Sequence, residues 1–282
     1  MTVIDGKAVS AKVKNEIAVS VNEIKKRGFR SPCLAVILVG EDPASQIYVR
    51  NKKRACEQVG ITSLEYLLKE STKEEELLSL IDRLNEDDSV DGILVQMPVP
   101  KHISSSKVID RISKDKDVDS FSAYNVGMLN IGTPVFQPCT PAGIMRLLSE
   151  YNISPAGKNC VVVGRSNIVG KPMAALLLAA DGTVTVCHSK TKDLAEFTKR
   201  ADILVVACGK AKLIDGSMIK ENAVVIDVGM NRTEGHLCGD CDFESCSRRA
   251  SYMTPVPGGV GPMTIAILLQ NTLLSCRKRF SL

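Results

Sequence analysis

The sequence predicts an α/β protein with two α/β domains around a cleft. Three observations carry that expectation. Short apolar runs alternate with helix-period runs along the chain, which argues for mostly parallel sheets covered by helices. Residues 160–180 pass from an apolar strand through a glycine-bounded turn into a helix. The length, 282 residues, exceeds the usual size of one domain.

In the first half, helix is expected at about residues 6–28, strand over 33–40, helix from 43 to about 60, strand over 63–68, helix over 73–87 and strand over 92–97. The second half repeats the logic. Its strands fall at 160–164, 183–188, 203–209 and 224–229, with helices at 169–180 and 193–201. Between the halves, Thr140 is placed to cap a helix whose first turn holds Pro141. The last helix, about 261–280, follows a glycine- and proline-rich loop and is apolar enough to pack back on the first domain. The expected division is therefore 1–139 completed by 262–282, and 140–261.

Composition narrows the function classes. Hydrophobic residues make up 44% and charged residues 24%, which suits a globular chain and not a disordered one. The net charge is only +4 and its Lys and Arg are interspersed with acids, so no nucleic-acid partner is expected. A small anionic substrate suits it better. The first residues lack a secretory signature and no apolar run approaches a membrane span, so a cytoplasmic protein without a membrane partner is expected. Ten cysteines fit a reducing compartment, several within apolar strands where a thiol packs as a small hydrophobe. Cys238, Cys241 and Cys246 have only His236 nearby and no matching second pair, so no metal is expected.

The turn after residue 163 runs Gly164, Arg165, Ser166 and closes at Gly170, without the middle glycine of G-x-G-x-x-G. Such a turn lets a phosphate approach N–H groups at a helix start, and Arg165 suits an extra phosphate. Spacing alone leaves an ordinary strand-to-helix turn open. In the first half, Tyr48 and Lys52 stand four apart on one helical face. A desolvated lysine can serve as acid or base, yet Arg50, Lys53 and Arg54 are equally consistent with a solvated basic face.

Gln96 ends an apolar strand, where open α/β sheets bind ligands, and a neutral amide can hold a lysine without raising its pKa. Asp119 lies in a polar loop with Asp115 and Asp117. The glycine and distal glutamate of a calcium loop are missing, while one aspartate there could pair with the N–H edge of an aminopyrimidine. Gly258, Gly259 and Gly261, just before the last helix, permit close backbone approach.

Taken together, YVRNK, QMPVP, KDVD, PCTP, GRSNIVGKP, HSKT, DVGMN and TPVPGGVGPMT resemble, in order and spacing, the bifunctional methylenetetrahydrofolate dehydrogenase/cyclohydrolase family over nearly the whole chain. The resemblance implies a homodimer that oxidises 5,10-methylenetetrahydrofolate with NADP and hydrolyses the methenyl product to 10-formyltetrahydrofolate, with 1–139 and 262–282 as its folate-binding catalytic domain and 140–261 as a Rossmann-like dinucleotide-binding domain for NADP. It also implies roles for individual residues. Lys52 is the central catalytic group, Tyr48 an aligning ring, Gln96 the partner that tunes Lys52, and Asp119 the pterin anchor. Val95 and Met97 beside Gln96, with Pro257, Gly258, Gly259, Val260 and Gly261, line the substrate site. Gly164, Arg165, Ser166 and Ser189 hold the cofactor, with Gly209 and Met230 near its adenine and nicotinamide portions.

The chain departs from the family pattern at DVDSFS, where members usually read DVDGFH, so Ser120 and Ser122 replace a glycine and a histidine. QMPVP stands for the commoner QLPLP, and Cys208 for a threonine. Two rivals fit less well. A short-chain dehydrogenase places its glycine turn before its Tyr/Lys pair, the reverse of the order here. A non-enzymatic folate- or nucleotide-binding regulator would not need Lys52 and Gln96.

Overall fold

The structure is a computed structural model that describes residues 1–233 and 235–282. The chain opens with β1 (Thr2–Val3), α1 (Gly6–Lys26), β2 (Cys33–Val39), α2 (Pro43–Val59), β3 (Thr62–Leu68), α3 (Glu74–Glu86) and β4 (Gly92–Val95). Three helices follow: α4 (Ser105–Arg111), α5 (Ala123–Asn130) and α6 (Cys139–Glu150). Then come β5 (Asn159–Val163), α7 (Gly170–Ala179), β6 (Thr183–Cys187), α8 (Leu194–Thr198), β7 (Ile203–Val206) and β8 (Val224–Asp227). The chain finishes with β9 (Asn231–Thr233), β10 (His236–Cys238), α9 (Phe243–Ser247), β11 (Tyr252–Met253) and α10 (Val260–Arg279).

These elements form two compact units, one of Ala11–Gln137 with Ile265–Leu282 and one of Met1–Ser10 with Pro138–Thr264. The first unit holds a three-stranded parallel sheet in the order β3-β2-β4. Central β2, CLAVILV, is buried at every position, as befits a parallel strand covered on both faces. Leu77, Leu80, Ile81 and Leu84 of α3 recur at helical spacing and pack with Ala35, Ile37, Ile93 and Val95 of the sheet. The chain leaves β2 for β3 on one side and returns to β4 on the other. Strand order thus reverses between β2 and β4, the place where such sheets open a crevice at the carboxyl ends. The later part of α10 is tied into this unit, for Asn271 Nδ2 donates to Val118 O at 2.8 Å and Ser275 Oγ to Asp115 O at 2.9 Å.

The other unit is wound on the same plan around six parallel strands in the order β1-β11-β8-β7-β5-β6. Its strand order reverses between β5 and β7. Residues 1–10 belong here and not with the domain expected to contain them, because Thr2 and Val3 pair with Tyr252 and Met253. Thr140 is not the helix cap that its spacing suggests. The helix starts one residue earlier, at Cys139 with Pro138 before it, and the Thr140 hydroxyl is 2.9 Å from that of Thr264.

Two strands stop short of their expected ends for identifiable reasons. β4 stops at Val95 because Pro98 and Pro100 have no N–H to continue a ladder. β7 stops at Val206 because the N–H groups of Cys208, Gly209 and Lys210 turn to the Asp240 carboxylate.

Candidate active site

In the three-stranded unit, α2 starts where Asp42 accepts from Ser45 N at 2.7 Å, with Pro43 in its first turn, and ends at Gly60. Ser45, Val49, Lys52, Cys56 and Val59 are all buried, at successive spacings of four, three, four and three residues. That is the inward stripe of an amphipathic helix, and Lys52 occupies one of its positions. Arg50, Lys53 and Arg54 are exposed, so the solvated basic face exists but Lys52 is not part of it.

The ammonium meets a neutral partner. Lys52 Nζ donates to Gln96 Oε1 at 2.8 Å, while Gln96 Nε2 donates to Met97 O at 2.8 Å and so turns the amide oxygen toward the lysine. Gln96 is held beyond the end of β4 by its own N–H on Ile37 O, also 2.8 Å. Helix stripe and strand end thus converge where strand order reverses. Tyr48 lies one turn before Lys52, and burial of part of its ring pushes the phenol pKa up, which keeps it a neutral hydroxyl. Val95 is buried and Met97 half-buried beside them.

Asp119, half-buried, sits on a segment fixed from several directions. Lys116 O accepts from Ile93 N at 2.8 Å, which lays the segment along β4. Asp117 accepts from Ser122 N at 2.8 Å and Asn125 Nδ2 at 2.9 Å. The two unusual serines have distinct explanations. Ser120 takes φ of 61°, a left-handed conformation that favours glycine, and its hydroxyl donates to Phe136 O at 3.0 Å. Ser122 is the N-cap of α5.

In the six-stranded unit the turn after β5 is shaped by backbone crowding. Gly164 takes φ of 132° and a Cβ on it would fall on the Ala207 carbonyl; a Cβ on Gly170 would fall on the Gly164 carbonyl. Glycine is required at both ends of the turn. Ser166 Oγ accepts from Val169 N at 3.2 Å and Gly170 N at 3.3 Å, closing the start of α7. Arg165 and Ser166 are exposed, as is Ser189 beyond the end of β6.

At the neighbouring strand ends, Gly209 N donates to Asp240 Oδ2, and Met230 is 51% exposed. A Cβ on Gly261, in the first turn of α10, would lie 3.8 Å from Met230 Sδ, so that methionine packs close to the helix start. Asp227 and Asp240, fully buried carboxylates at these strand ends, had no place in the sequence reading. Their signal was present, an aspartate closing the apolar run VVID and another among the cysteines of CGDCD. Among the described residues no group of three or more His, Cys, Asp or Glu stands ready to hold a metal ion. No helix of those residues is long and apolar enough to cross a membrane.

Two family profiles cover most of the chain. Residues 4–119 match the tetrahydrofolate dehydrogenase/cyclohydrolase catalytic domain, and residues 138–280 match the NAD(P)-binding domain of the same name. The chain belongs to the tetrahydrofolate dehydrogenase/cyclohydrolase family. It is a bifunctional dehydrogenase and cyclohydrolase of one-carbon folate chemistry.

Among relatives, the bifunctional protein FolD of Magnetococcus marinus is 58% identical over 98% of this chain and 97% of its own length. That of Agathobacter rectalis is 59% identical over 98% and 99%. Of solved structures, the bifunctional FolD enzyme of Campylobacter jejuni superposes with a TM-score of 0.97 at 54% identity, covering 99% of each chain. The Trypanosoma brucei methylenetetrahydrofolate dehydrogenase-cyclohydrolase, complexed with NADP cofactor and inhibitor, gives 0.96 at 38% identity, covering 100% of this chain and 99% of its own.

Proposed function

We propose that Lys52 is the proton-handling group of the family's hydrolytic step in this chain, and that NADP is the hydride acceptor of its oxidative step. The substrate is 5,10-methylenetetrahydrofolate and the final product 10-formyltetrahydrofolate. Asp119 anchors the pterin through its N–H edge, Tyr48 aligns the folate rings, and Val95, Met97 and residues 257–261 line the folate. The residues present fit the cofactor, since Arg165 and Ser166 stand exposed on the glycine-bounded turn between β5 and α7, where a guanidinium and a hydroxyl suit phosphate. Gly164, Arg165, Ser166 and Ser189 hold it, with Gly209 and Met230 near its adenine and nicotinamide portions. When bound, NADP takes a hydride from the methylene carbon, leaving the methenyl cation on the folate.

The chain's own part in oxidation is to hold the folate at reacting distance, because the substrate's ring nitrogens supply the electron push. Hydrolysis asks more. Water adds to the methenyl carbon and gives up both its protons as its oxygen becomes the formyl oxygen; one goes to N5 as the bond from N5 to that carbon breaks, and the other leaves to solvent. A buried lysine held by a neutral amide can pass those protons, since desolvation disfavours its charge and Gln96 adds no negative charge to oppose that. The observation that carries this reading is the 2.8 Å Lys52–Gln96 hydrogen bond on a buried helix stripe. A cytoplasmic homodimer is part of the proposal, resting on the family resemblance.

The test substitutes Lys52 by Met and by Arg and measures methenyl hydrolysis above the spontaneous rate, methylene oxidation and NADP affinity. Both variants are expected to lose hydrolysis, keep NADP binding and show intermediate oxidation, because arginine stays charged at working pH. Hydrolysis by Lys52→Met at the parent's rate would overturn the mechanism.

A further inference from the structure

We infer that Asp240 is a positioning residue for the dinucleotide, setting the loop after β7 and the segment after β8 as one piece; the inference rests on the assignment of Gly209 and Met230 to the cofactor. Asp240 is fully buried. Its carboxylate accepts from Cys208 N at 2.7 Å, Gly209 N at 2.9 Å, Lys210 N at 2.8 Å and Asn231 Nδ2 at 2.8 Å. Three successive N–H groups curled around an anion, with Gly209 at φ of 66°, make the kind of nest that elsewhere grips a phosphate. Here the anion is the protein's own. Those three N–H groups are thereby taken up by the fold itself.

Asp240 is itself held in series. Asp227 Oδ1 accepts from Asp240 N and from Gly229 N, both at 2.9 Å, and Asp227 Oδ2 accepts from Cys241 N at 2.8 Å. The Asp227 N–H donates to Thr254 Oγ1 at 2.8 Å. Two carboxylates thus lock the carboxyl ends of β7 and β8 together, and Asn231, which completes the set, follows Met230 directly. A change at Asp240 therefore moves Gly209 and Met230 in concert. Asparagine cannot substitute, because one carboxylate oxygen becomes an NH2 group facing backbone donors.

The experiment compares the parent with Asp240→Asn and the milder Asn231→Ala, measuring NADP affinity by calorimetry, KM for NADP and for the folate, and methenyl hydrolysis as a check on folding. Asp240→Asn is expected to weaken NADP binding by about tenfold or more, and Asn231→Ala by about threefold, in line with loss of charge-assisted hydrogen bonds. In both, KM for the folate should move by less than about twofold, since none of the residues assigned to the folate hydrogen-bonds to Asp240 or Asp227. Unchanged NADP affinity in both variants overturns the inference, as does a parallel loss of NADP affinity, folate KM and hydrolysis, which marks Asp240 as merely structural. A parent that fails to bind NADP overturns the cofactor assignment together with the inference built on it.

Discussion

The two parallel sheets of this molecule are wound alike and used differently. Each reverses its strand order once, between β2 and β4 in one unit and between β5 and β7 in the other. At the first reversal the chain places side chains, a lysine carried on the buried stripe of α2 and a glutamine at a strand end. At the second it places bare backbone, with Gly164 against the Ala207 carbonyl, Gly170 against Gly164, and a loop gathered on a buried carboxylate. Chemistry and stability therefore separate easily in the first case and hardly at all in the second. A side chain can be exchanged on a fixed frame, whereas a glycine's missing Cβ is part of the frame.

The largest effect is expected from Gly164→Ala. The added methyl collides with backbone and the residue keeps a φ that L side chains rarely adopt, so a stability loss of about 3 kcal/mol or more should accompany loss of NADP binding. Urea unfolding and an NADP titration check this. By contrast, Lys52→Met should shift stability by less than about 1 kcal/mol while abolishing hydrolysis, because it trades a buried ammonium for a side chain of similar shape. Parent-like behaviour of Gly164→Ala would dissolve the contrast between the two sheets.

A smaller effect belongs to Arg165, an exposed side chain on the glycine turn and so the exception within the backbone-built site. Without the acid that usually binds ribose hydroxyls at the end of β6, where Ser189 stands, Arg165 suits a 2′-phosphate. Arg165→Ala should lower kcat/KM with NADP by about 10- to 100-fold and leave NAD nearly unaffected. Equal efficiency with both cofactors in the parent would remove the basis for this assignment.

The smallest effect is at Ser120, where the side-chain-built unit borrows a glycine's backbone without the glycine. A left-handed serine costs about 1–2 kcal/mol, and its hydroxyl bond to Phe136 O returns about 1 kcal/mol. Ser120→Gly relieves the strain and loses the bond, so its stability should stay within about 1 kcal/mol of the parent. Ser120→Ala keeps the strain and loses the bond, and should fall about 1 kcal/mol lower. Thermal unfolding that ranks alanine above glycine would contradict the conformational account.

Legibility in the sequence followed the same divide. Strand and helix positions were readable to within a few residues because burial imposes periodicity, as in β2 and α3. The meeting of Lys52 with Gln96 was readable because one helix face and one strand end are local features. What escaped were features made by distant segments meeting. β1 is two residues long and is defined only by its partner 250 positions away; Thr140 finds Thr264 instead of capping its helix. Asp240 looks like one polar residue in a cysteine-rich hairpin until the 208–210 loop closes on it. A pattern read along the chain has no means of registering such a return.

The pairing of β1 with β11 has a consequence for synthesis. Both units are assembled from discontinuous stretches. In the six-stranded sheet residues 2–3 have no place until residues 252–253 have paired with β8, and the three-stranded unit is incomplete until Ile265–Leu282 arrives. Residues 2–3 therefore wait for residues 252–253 while everything between them is made, and the two units are completed nearly together instead of one after the other.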